Sequence, residues 1–307
     1  MISPKLINSM KNIFCGLGVA LITPFTPGGK GAVDFGTLRH LINYVIDGGA
    51  NFLCVLGSTA ETPCLSADER RSVKDFAVET AGGRVPILLG MGGNDTRALT
   101  EEIESFDFDG VDGILSVVPY YNKPSQLGIY EHFKCVAEAA AHRAGLPVVV
   151  YNVPGRTGVN MQAATTLRLA REVDNIVAVK EASGSVAQME TIVQNAPDGF
   201  GVLSGDDSLA CEFIGRGGCG VISVVGNAIP QTFSTMVRAA LDGRSSEAAA
   251  INEELQELYR LAFADGNPAG IKALLNAKAL CANCLRLPLT PATAETADGL
   301  RVFAHFS

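Results

Sequence analysis

The chain has 307 residues, of which 47% are apolar and 18% are charged. This composition supplies a large hydrophobic core and excludes wholesale disorder. The net charge of -8 argues against a surface that binds nucleic acid or anionic membranes, although a local cationic site for a small acid is compatible with it.

The cysteines bear on the cellular compartment. The chain has eight of them, and their scattered positions in apolar runs indicate free thiols in a cytoplasmic protein. Cys281 and Cys284 form a CxxC pair, but a zinc site needs two more ligands, and only His305 is near in sequence. There is no signal-peptide pattern and no apolar run long enough to cross a bilayer. We therefore expect a cytoplasmic protein without a bound metal.

Short apolar runs alternate with helical patterns along most of the chain. Ser66, followed three residues later by Glu69, is a capping box that opens the second helix, and Pro124 predicts the first turn of the fourth. Strands are predicted at Gly16–Phe25, Asn51–Leu56, Val85–Met91, Gly113–Val118, Leu146–Tyr151, Asn175–Lys180, Gly201–Ser204 and Gly220–Val225.

This alternation predicts the fold class. Eight strand-and-helix units of roughly 25 to 30 residues match an α/β protein with a (β/α)8 TIM barrel. A doubly wound open sheet is the alternative, but the G-x-G-x-x-G turn that usually follows its first strand is missing. After about residue 242 the pattern changes to helices at Ser245–Phe263 and Ala269–Leu280, then an irregular tail from Leu285. We predict a barrel catalytic domain over residues 1–242 and a C-terminal helical subdomain over residues 243–307.

Lys180 ends the apolar run of the predicted sixth strand. A lysine at the mouth of a buried strand faces a low dielectric, which favours the neutral, nucleophilic amine that forms a Schiff base. The alternative is a lysine that snorkels to solvent or pairs with Glu181. Because side chains alternate along a strand, Glu181 is expected on the opposite face, which weakens the ion-pair alternative.

Polar side chains also follow the other predicted strands at the end where barrel active sites are built. Ser58 and Thr59 offer hydroxyls for a carboxylate, or for hydrogen bonds within their loop. Tyr151 is suited to proton transfer beside the lysine, or is a barrel tyrosine with a satisfied hydroxyl. Arg156 is suited to bidentate binding of a second carboxylate, or to a surface ion pair.

Each of three further motifs is compatible with two interpretations. Tyr120 and Tyr121 are either catalytic or interface aromatics. Asp206 and Asp207 resemble a metal pair, but capping of the following helix is favoured. Gly215–Gly220 is favoured as a turn into the eighth strand over a phosphate cradle.

Together these residues fit one kind of reaction. A lysine amine condenses with the ketone of a 2-oxo acid, hydroxyls hold its carboxylate, and a tyrosine moves the protons. The protonated imine is an electron sink that makes the adjacent carbon nucleophilic toward an aldehyde. No metal or cofactor is required.

Several motifs carry a resemblance to a known family. The chain resembles the pyruvate-dependent class I aldolases over nearly its full length. Within that family, Val118–Gln126 and Tyr151–Gly158 are similar to the branch that acts on L-aspartate 4-semialdehyde. The motifs are Leu21–Phe25, Gly57–Glu61, Val118–Gln126, Tyr151–Gly158, Val179–Ala182, Ser204–Asp207, Gly220–Ser223 and Leu285–Pro291.

The resemblance implies four catalytic roles. Lys180 is the residue that forms the Schiff base with pyruvate, and Tyr151 donates and accepts the protons. Ser58 and Tyr121 complete a proton relay, with Tyr121 contributed across a tight dimer interface. The implied assembly is a homotetramer of two such dimers.

The resemblance also implies the substrate contacts. Thr59 and the backbone at Ile222 hold pyruvate, and Gly205 lines the pocket. Arg156 receives the carboxylate of L-aspartate 4-semialdehyde. The implied activity is condensation of these two substrates to 4-hydroxy-tetrahydrodipicolinate in lysine and diaminopimelate biosynthesis, with no nucleic-acid or membrane partner.

The chain departs from the family pattern at two places. Ser58 and Ala60 replace a threonine and a glycine, and the serine keeps the hydroxyl with a less constrained rotamer. Ala67, Arg70 and Ala98 stand where lysine-inhibited members carry histidine and acidic residues. We therefore expect feedback inhibition by lysine to be weak or absent.

Three other functions are compatible with parts of this pattern. An N-acetylneuraminate or keto-sugar-acid lyase of the same family is the nearest, and Arg156 argues against it because polyhydroxylated aldehydes do not require a carboxylate clamp. A pyridoxal-phosphate enzyme with Lys180 as the aldimine lysine is the second. A barrel used only for binding is the third.

Overall fold

The computed structural model describes residues 13–28 and 31–307, so residues 1–12 of the predicted barrel domain lie outside the described residues. The first and last strands are shorter than the sequence predicts, since β1 ends at Ala20 and β8 at Ser223, whereas β7 has the predicted bounds. The strands are β1 (Gly16–Ala20), β2 (Phe52–Val55), β3 (Ile87–Gly90), β4 (Gly113–Val117), β5 (Val148–Asn152), β6 (Ile176–Glu181), β7 (Gly201–Ser204) and β8 (Gly220–Ser223).

The eight strands form a closed barrel in chain order, and the (β/α)8 prediction is confirmed. Neighbouring strands run parallel, as in β4 with β5 and β5 with β6. All five residues of β5 and all six of β6 are buried. Strands that are covered on both faces favour continuous runs of Val, Ile and Leu, which explains why periodicity located them.

Helices follow the strands, and several of them begin after a residue whose side chain caps the first turn, such as Ser66, Asp95 and Ser185. The capping box of Ser66 and Glu69 is present as predicted. The helices are α1 (Phe35–Asp47), α2 (Ala67–Ala81), α3 (Thr96–Ser105), α4 (Gln126–Ala144), α5 (Pro154–Thr157), α6 (Ala163–Glu172), α7 (Val186–Asn195), α8 (Ala210–Gly215), α9 (Pro230–Leu241), α10 (Ser245–Glu254), α11 (Gln256–Ala264), α12 (Ala269–Ala277) and α13 (Ala294–Arg301).

The predicted helix start at Pro124 is wrong. The helix begins at Gln126, and the hydroxyl of Ser125 accepts a hydrogen bond from the Gly128 N–H at 3.2 Å. A serine oxygen satisfies an orphan N–H of the first turn, which a proline cannot do, so the cap decides the boundary.

The described residues divide into two compact units, and the first consists of 13–15 and Pro86–Val221. It holds β3 to β7 and the beginning of β8. Within it the strand register aligns Val117 with Tyr151, Tyr151 with Lys180 and Lys180 with Leu203. The carboxyl ends of four adjacent strands therefore lie side by side in this unit.

The second unit consists of Gly16–Val85 and Ile222–Ser307. The predicted helix over Ser245–Phe263 is two helices, because Leu255 forms a tight turn whose N–H bonds to the Asn252 carbonyl at 3.3 Å. The tail beyond Leu285 is irregular at first, as predicted, but Thr293 then caps α13, which the sequence pattern missed.

Residues 243–307 carry α10 to α13, and their assignment as a separate helical subdomain stays a prediction. A variant truncated at residue 242 tests it, since a separable subdomain leaves a barrel that still folds. Among the described residues, no helix is both long and apolar enough to cross a membrane.

Candidate active site

Lys180 and Tyr151 lie next to each other at the ends of β6 and β5. Both side chains are buried, with 6% of each residue exposed, and the lysine Nζ lies 4.3 Å from the centroid of the tyrosine ring. An amine over an aromatic face is stabilised electrostatically when it carries a proton. The snorkelling alternative for Lys180 is therefore wrong.

Glu181 faces away from Lys180, as alternation along the strand predicts. Its carboxylate accepts hydrogen bonds from Asn152, the Ser183 backbone and Gln188. These donors lie behind the barrel wall, and the lysine side chain is directed to the tyrosine. The Lys180–Glu181 ion pair considered from the sequence is wrong.

Gly205 follows β7 and lies directly against Lys180. A Cβ placed on this glycine would lie 3.0 Å from the lysine Cε and 2.6 Å from the Ala182 Cβ. Any larger side chain must displace the lysine stem, so close approach explains the need for glycine here. The Gly205 N–H donates to the Glu181 carbonyl at 2.7 Å, which fixes the turn.

Arg156 and Tyr121 lie at the rim of the same unit. Arg156 is exposed on α5, the single helical turn that follows β5. Tyr121 is 87% exposed and has a left-handed backbone with φ of 72°, and its N–H reaches the Thr157 carbonyl at 3.4 Å. A non-glycine residue in this conformation is strained, and such strained residues cluster at active sites and ligand-binding loops.

The hydroxyls of the second unit follow β2. Ser58 and Thr59 begin a 3-10 turn, in which Ser58 is exposed and Thr59 is buried. The Thr59 Oγ1 accepts a hydrogen bond from the Asn267 side-chain amide at 2.8 Å. Because an amide N–H can only donate, the threonine proton is free to be donated to a substrate oxygen.

A buried ion pair at Glu61, the residue directly after this turn, stabilises it. Glu61 has a left-handed backbone with φ of 55°, and its carboxylate pairs with Lys272, both side chains being 0% exposed. The second carboxylate oxygen accepts from the Arg286 backbone N–H at 2.9 Å, and Lys272 also donates to the Cys284 carbonyl at 2.8 Å. Burial lowers the pKa of Lys272, while the carboxylate opposes that effect.

Arg286 ties the C-terminal segment to α2. Its guanidinium donates to both oxygens of Glu69 at 2.6 and 2.8 Å, the bidentate geometry that a planar fork favours. This contact lowers the pKa of Glu69 to about 2. The turn with Ser58 and Thr59 is thus braced by residues that come more than two hundred positions later in the chain.

The structure also locates the other residues that the sequence singled out. Ile222 is buried in β8. Asp206 does not cap a helix as the sequence favoured, since α8 begins after Leu209 and the aspartate instead accepts from the Ser208 N–H and hydroxyl. Across residues 13–28 and 31–307, no cluster of three or more His, Cys, Asp or Glu side chains is arranged for a metal ion.

Sequence reasoning missed Asn267, Lys272 and the role of Arg286. One signal was available: Lys272 is a lone charge inside the apolar run Ile271–Leu275 of a predicted helix. A fully buried charge needs a partner. The sequence did not indicate which acidic residue would supply it.

The fold and these side chains define the class of protein, a barrel enzyme whose reactive groups follow the carboxyl ends of its strands. The model of the dihydrodipicolinate synthetase family matches residues 13–305. The chain belongs to this family, and it is a lyase.

Curated relatives and solved structures agree with this assignment. The 4-hydroxy-tetrahydrodipicolinate synthase of Phocaeicola vulgatus is 52% identical over 290 residues, covering 94% of this chain and 96% of that protein. The synthase of the same name from Parabacteroides distasonis is 51% identical, covering 93% and 94%. The crystal structure of dihydrodipicolinate synthase from Aquifex aeolicus superposes with a TM-score of 0.89 at 40% identity, covering 94% and 97%. The family resemblance predicted from the motifs is confirmed.

Proposed function

We propose that this lyase condenses pyruvate with L-aspartate 4-semialdehyde to give 4-hydroxy-tetrahydrodipicolinate, a step of lysine and diaminopimelate biosynthesis in the cytoplasm. The observation that carries the proposal is the buried Lys180 amine held 4.3 Å over the Tyr151 ring at adjacent strand ends. The similarity to relatives named for this reaction supports the choice of substrates.

The first half of the reaction charges the lysine with pyruvate. The Lys180 nitrogen bonds to C2 of pyruvate, and the ketone oxygen leaves as water. We assign the proton transfers of this step to Tyr151, the phenol-bearing residue that pairs with Lys180 in the strand register and whose ring lies beside the amine. Ser58 and the partner subunit's Tyr121 complete the proton relay. Loss of a C3 proton then gives the enamine.

The second half forms the carbon–carbon bond. The enamine C3 attacks the aldehyde carbon of the semialdehyde, and the amine of that substrate then displaces Lys180 from C2 and closes the ring. Thr59 and the Ile222 backbone hold the pyruvate carboxylate, and the hydrogen bond from Asn267 leaves the threonine proton available for it. Gly205 gives the lysine room, and Arg156 binds the second carboxylate.

The proposal includes a tight homodimer, assembled further into a homotetramer. Tyr120 and Tyr121 support this assembly, because 41% and 87% of these residues are exposed in the single chain. Exposed aromatic residues are typical of surfaces that bind another protein chain. Sedimentation velocity on the wild type and on Tyr121→Ala tests the assembly, and a monomeric wild type would refute it.

Borohydride reduction in the presence of pyruvate tests the nucleophile. Peptide mass mapping is expected to find the reduced adduct on Lys180 alone. Lys272 is the internal control, because it is also buried but its amine is engaged by Glu61. An adduct on any other lysine would refute the assignment of Lys180 as the nucleophile.

Replacing Arg156 with Ala tests the second substrate. We expect kcat/KM for L-aspartate 4-semialdehyde to fall about 10- to 100-fold, the value of one charge-assisted contact, while imine trapping with pyruvate is unchanged. Arg168→Ala on α6 is the matched control, since that arginine pairs with Glu172 on the surface. Unchanged turnover in Arg156→Ala would favour an aldolase for uncharged sugar-derived aldehydes.

A further inference from the structure

A second residue pair lies behind Lys180 and Tyr151 in the barrel wall. The strand register that pairs Tyr151 with Lys180 also pairs Asn152 with Glu181. Because side chains alternate along a strand, this next pair is directed to the opposite face. Asn152 and Glu181 are both 0% exposed, so their polar groups are satisfied by protein atoms or not at all.

The Glu181 carboxylate is surrounded by amide donors. The Asn152 Nδ2 lies 3.1 and 3.0 Å from its two oxygens. The Ser183 backbone N–H donates to one oxygen at 2.7 Å, and the Gln188 side-chain amide donates to the other at 2.9 Å. Every partner is a donor, so the site is built for an acceptor-only carboxylate.

Asn152 extends these contacts to the loop that carries Arg156. Its Nδ2 donates to the Asn160 Oδ1 at 2.8 Å, and its Oδ1 accepts from the Met161 N–H at 2.9 Å. Gln188 closes the same loop end, because it bonds to the Asn160 side chain and to the Met161 carbonyl. The far end of the loop that follows β5, at Asn160 and Met161, is thus hydrogen-bonded to Asn152, the residue at which the loop begins.

The loop between these anchors contains α5 and little else. Arg156 is exposed on that single turn, whose own hydrogen bonds run to the Val153 and Pro154 carbonyls. A one-turn helix is too short to hold its orientation unaided, because nucleation is unfavourable. The Asn160–Met161 end, together with the bond from the Tyr121 N–H to the Thr157 carbonyl, holds the turn that carries Arg156.

We propose that Glu181 and Asn152 are positioning residues for the second substrate. Glu181 orients the Asn152 amide, and that amide fixes the loop so that Arg156 meets the carboxylate of L-aspartate 4-semialdehyde. The inference rests on the proposed function, which assigns that carboxylate to Arg156. It extends the site to a pair that contacts neither substrate.

Glu181→Gln is the direct test, because it keeps the shape and introduces an amide that faces other N–H donors. We expect KM for the semialdehyde to rise about tenfold, while KM for pyruvate stays within twofold. Asn152→Asp tests the other side of the pair, because it removes the donor to Asn160 and places a second carboxylate against Glu181, and it is expected to give the same selective rise in KM for the semialdehyde. Glu172→Gln, a half-exposed carboxylate in α6, is the control and is expected to match wild type.

Asn160→Ala covers the case in which Glu181→Gln folds poorly. Asn160 is exposed, and its removal cuts the link to Asn152 and Gln188 without burying a charge. We expect a threefold or larger rise in KM for the semialdehyde alone. Equal rises for both substrates, no rise at all, or reduced thermal stability with unchanged KM would each overturn the positioning role.

Failure of the positioning role can be distinguished from failure of the proposed function. If wild type forms the imine with pyruvate but fails to turn over L-aspartate 4-semialdehyde, the substrate assignment is wrong. If wild type turns it over and Glu181→Gln shows no selective KM change, only the positioning role is wrong.

Discussion

Replacing Lys272 with Met removes the cation from the buried pair with Glu61 and keeps most of the side-chain volume. Both side chains are 0% exposed, so the change leaves an uncompensated carboxylate inside the protein. The Arg286 backbone N–H still donates a hydrogen bond to Glu61 in this variant. The Cys284 carbonyl loses its 2.8 Å donor as well.

Breaking a buried ion pair by removing one partner costs about 3 to 5 kcal/mol, and an orphaned carbonyl adds about 1 kcal/mol. The methionine stem keeps the packing against Phe25, over which the lysine nitrogen lies. We therefore expect the free energy of unfolding to fall by about 5 kcal/mol. At roughly 2 °C per kcal/mol for a chain of this size, the melting temperature falls by about 10 °C.

Urea unfolding followed by circular dichroism measures the change, with all variants at one protein concentration because assembly shifts the apparent stability. Arg301→Met is the control, since its pair with Asp298 is 71% and 65% exposed and is worth less than about 1 kcal/mol. Changing Lys272 to Met and Glu61 to Leu together is expected to recover most of the loss. A Lys272→Met variant within 1 kcal/mol of wild type would refute the reasoning.

Four further predictions concern the site and the pH response. Asn267→Ala frees the Thr59 hydroxyl to rotate, and KM for pyruvate is expected to rise roughly fivefold, equal to about 1 kcal/mol, in initial-rate assays. Gly205→Ala places a methyl group 3.0 Å from the Lys180 Cε, and the rate of borohydride trapping with pyruvate is expected to fall at least tenfold. Burial lowers the pKa of His132 to about 4 from 6.5, so the contribution of its neutral form to stability is fully present above pH 6.5 and is lost as the pH falls toward 4. His132→Gln is expected to show a smaller decline of the urea midpoint over that pH range. Millimolar lysine is expected to leave the initial rate nearly unchanged, and near-complete inhibition would contradict this.

The sequence by itself determined the features that depend on neighbouring residues. The apolar runs located every strand because strands that are covered on both faces select Val, Ile and Leu. The capping box at Ser66 and Glu69 depends on two side chains three positions apart, so it was visible as a motif. Lys180 and Tyr151 were located at strand ends by the same periodicity, and the motifs around them predicted the family.

Only the tertiary structure decided which of these residues meet. The register of β5 and β6 pairs Tyr151 with Lys180, and no local pattern specifies a register between two buried strands. Asn267 reaches Thr59 across 208 positions, and Lys272 reaches Glu61 across 211. Such contacts depend on how the whole chain closes, whereas periodicity and capping act within a few residues of one another.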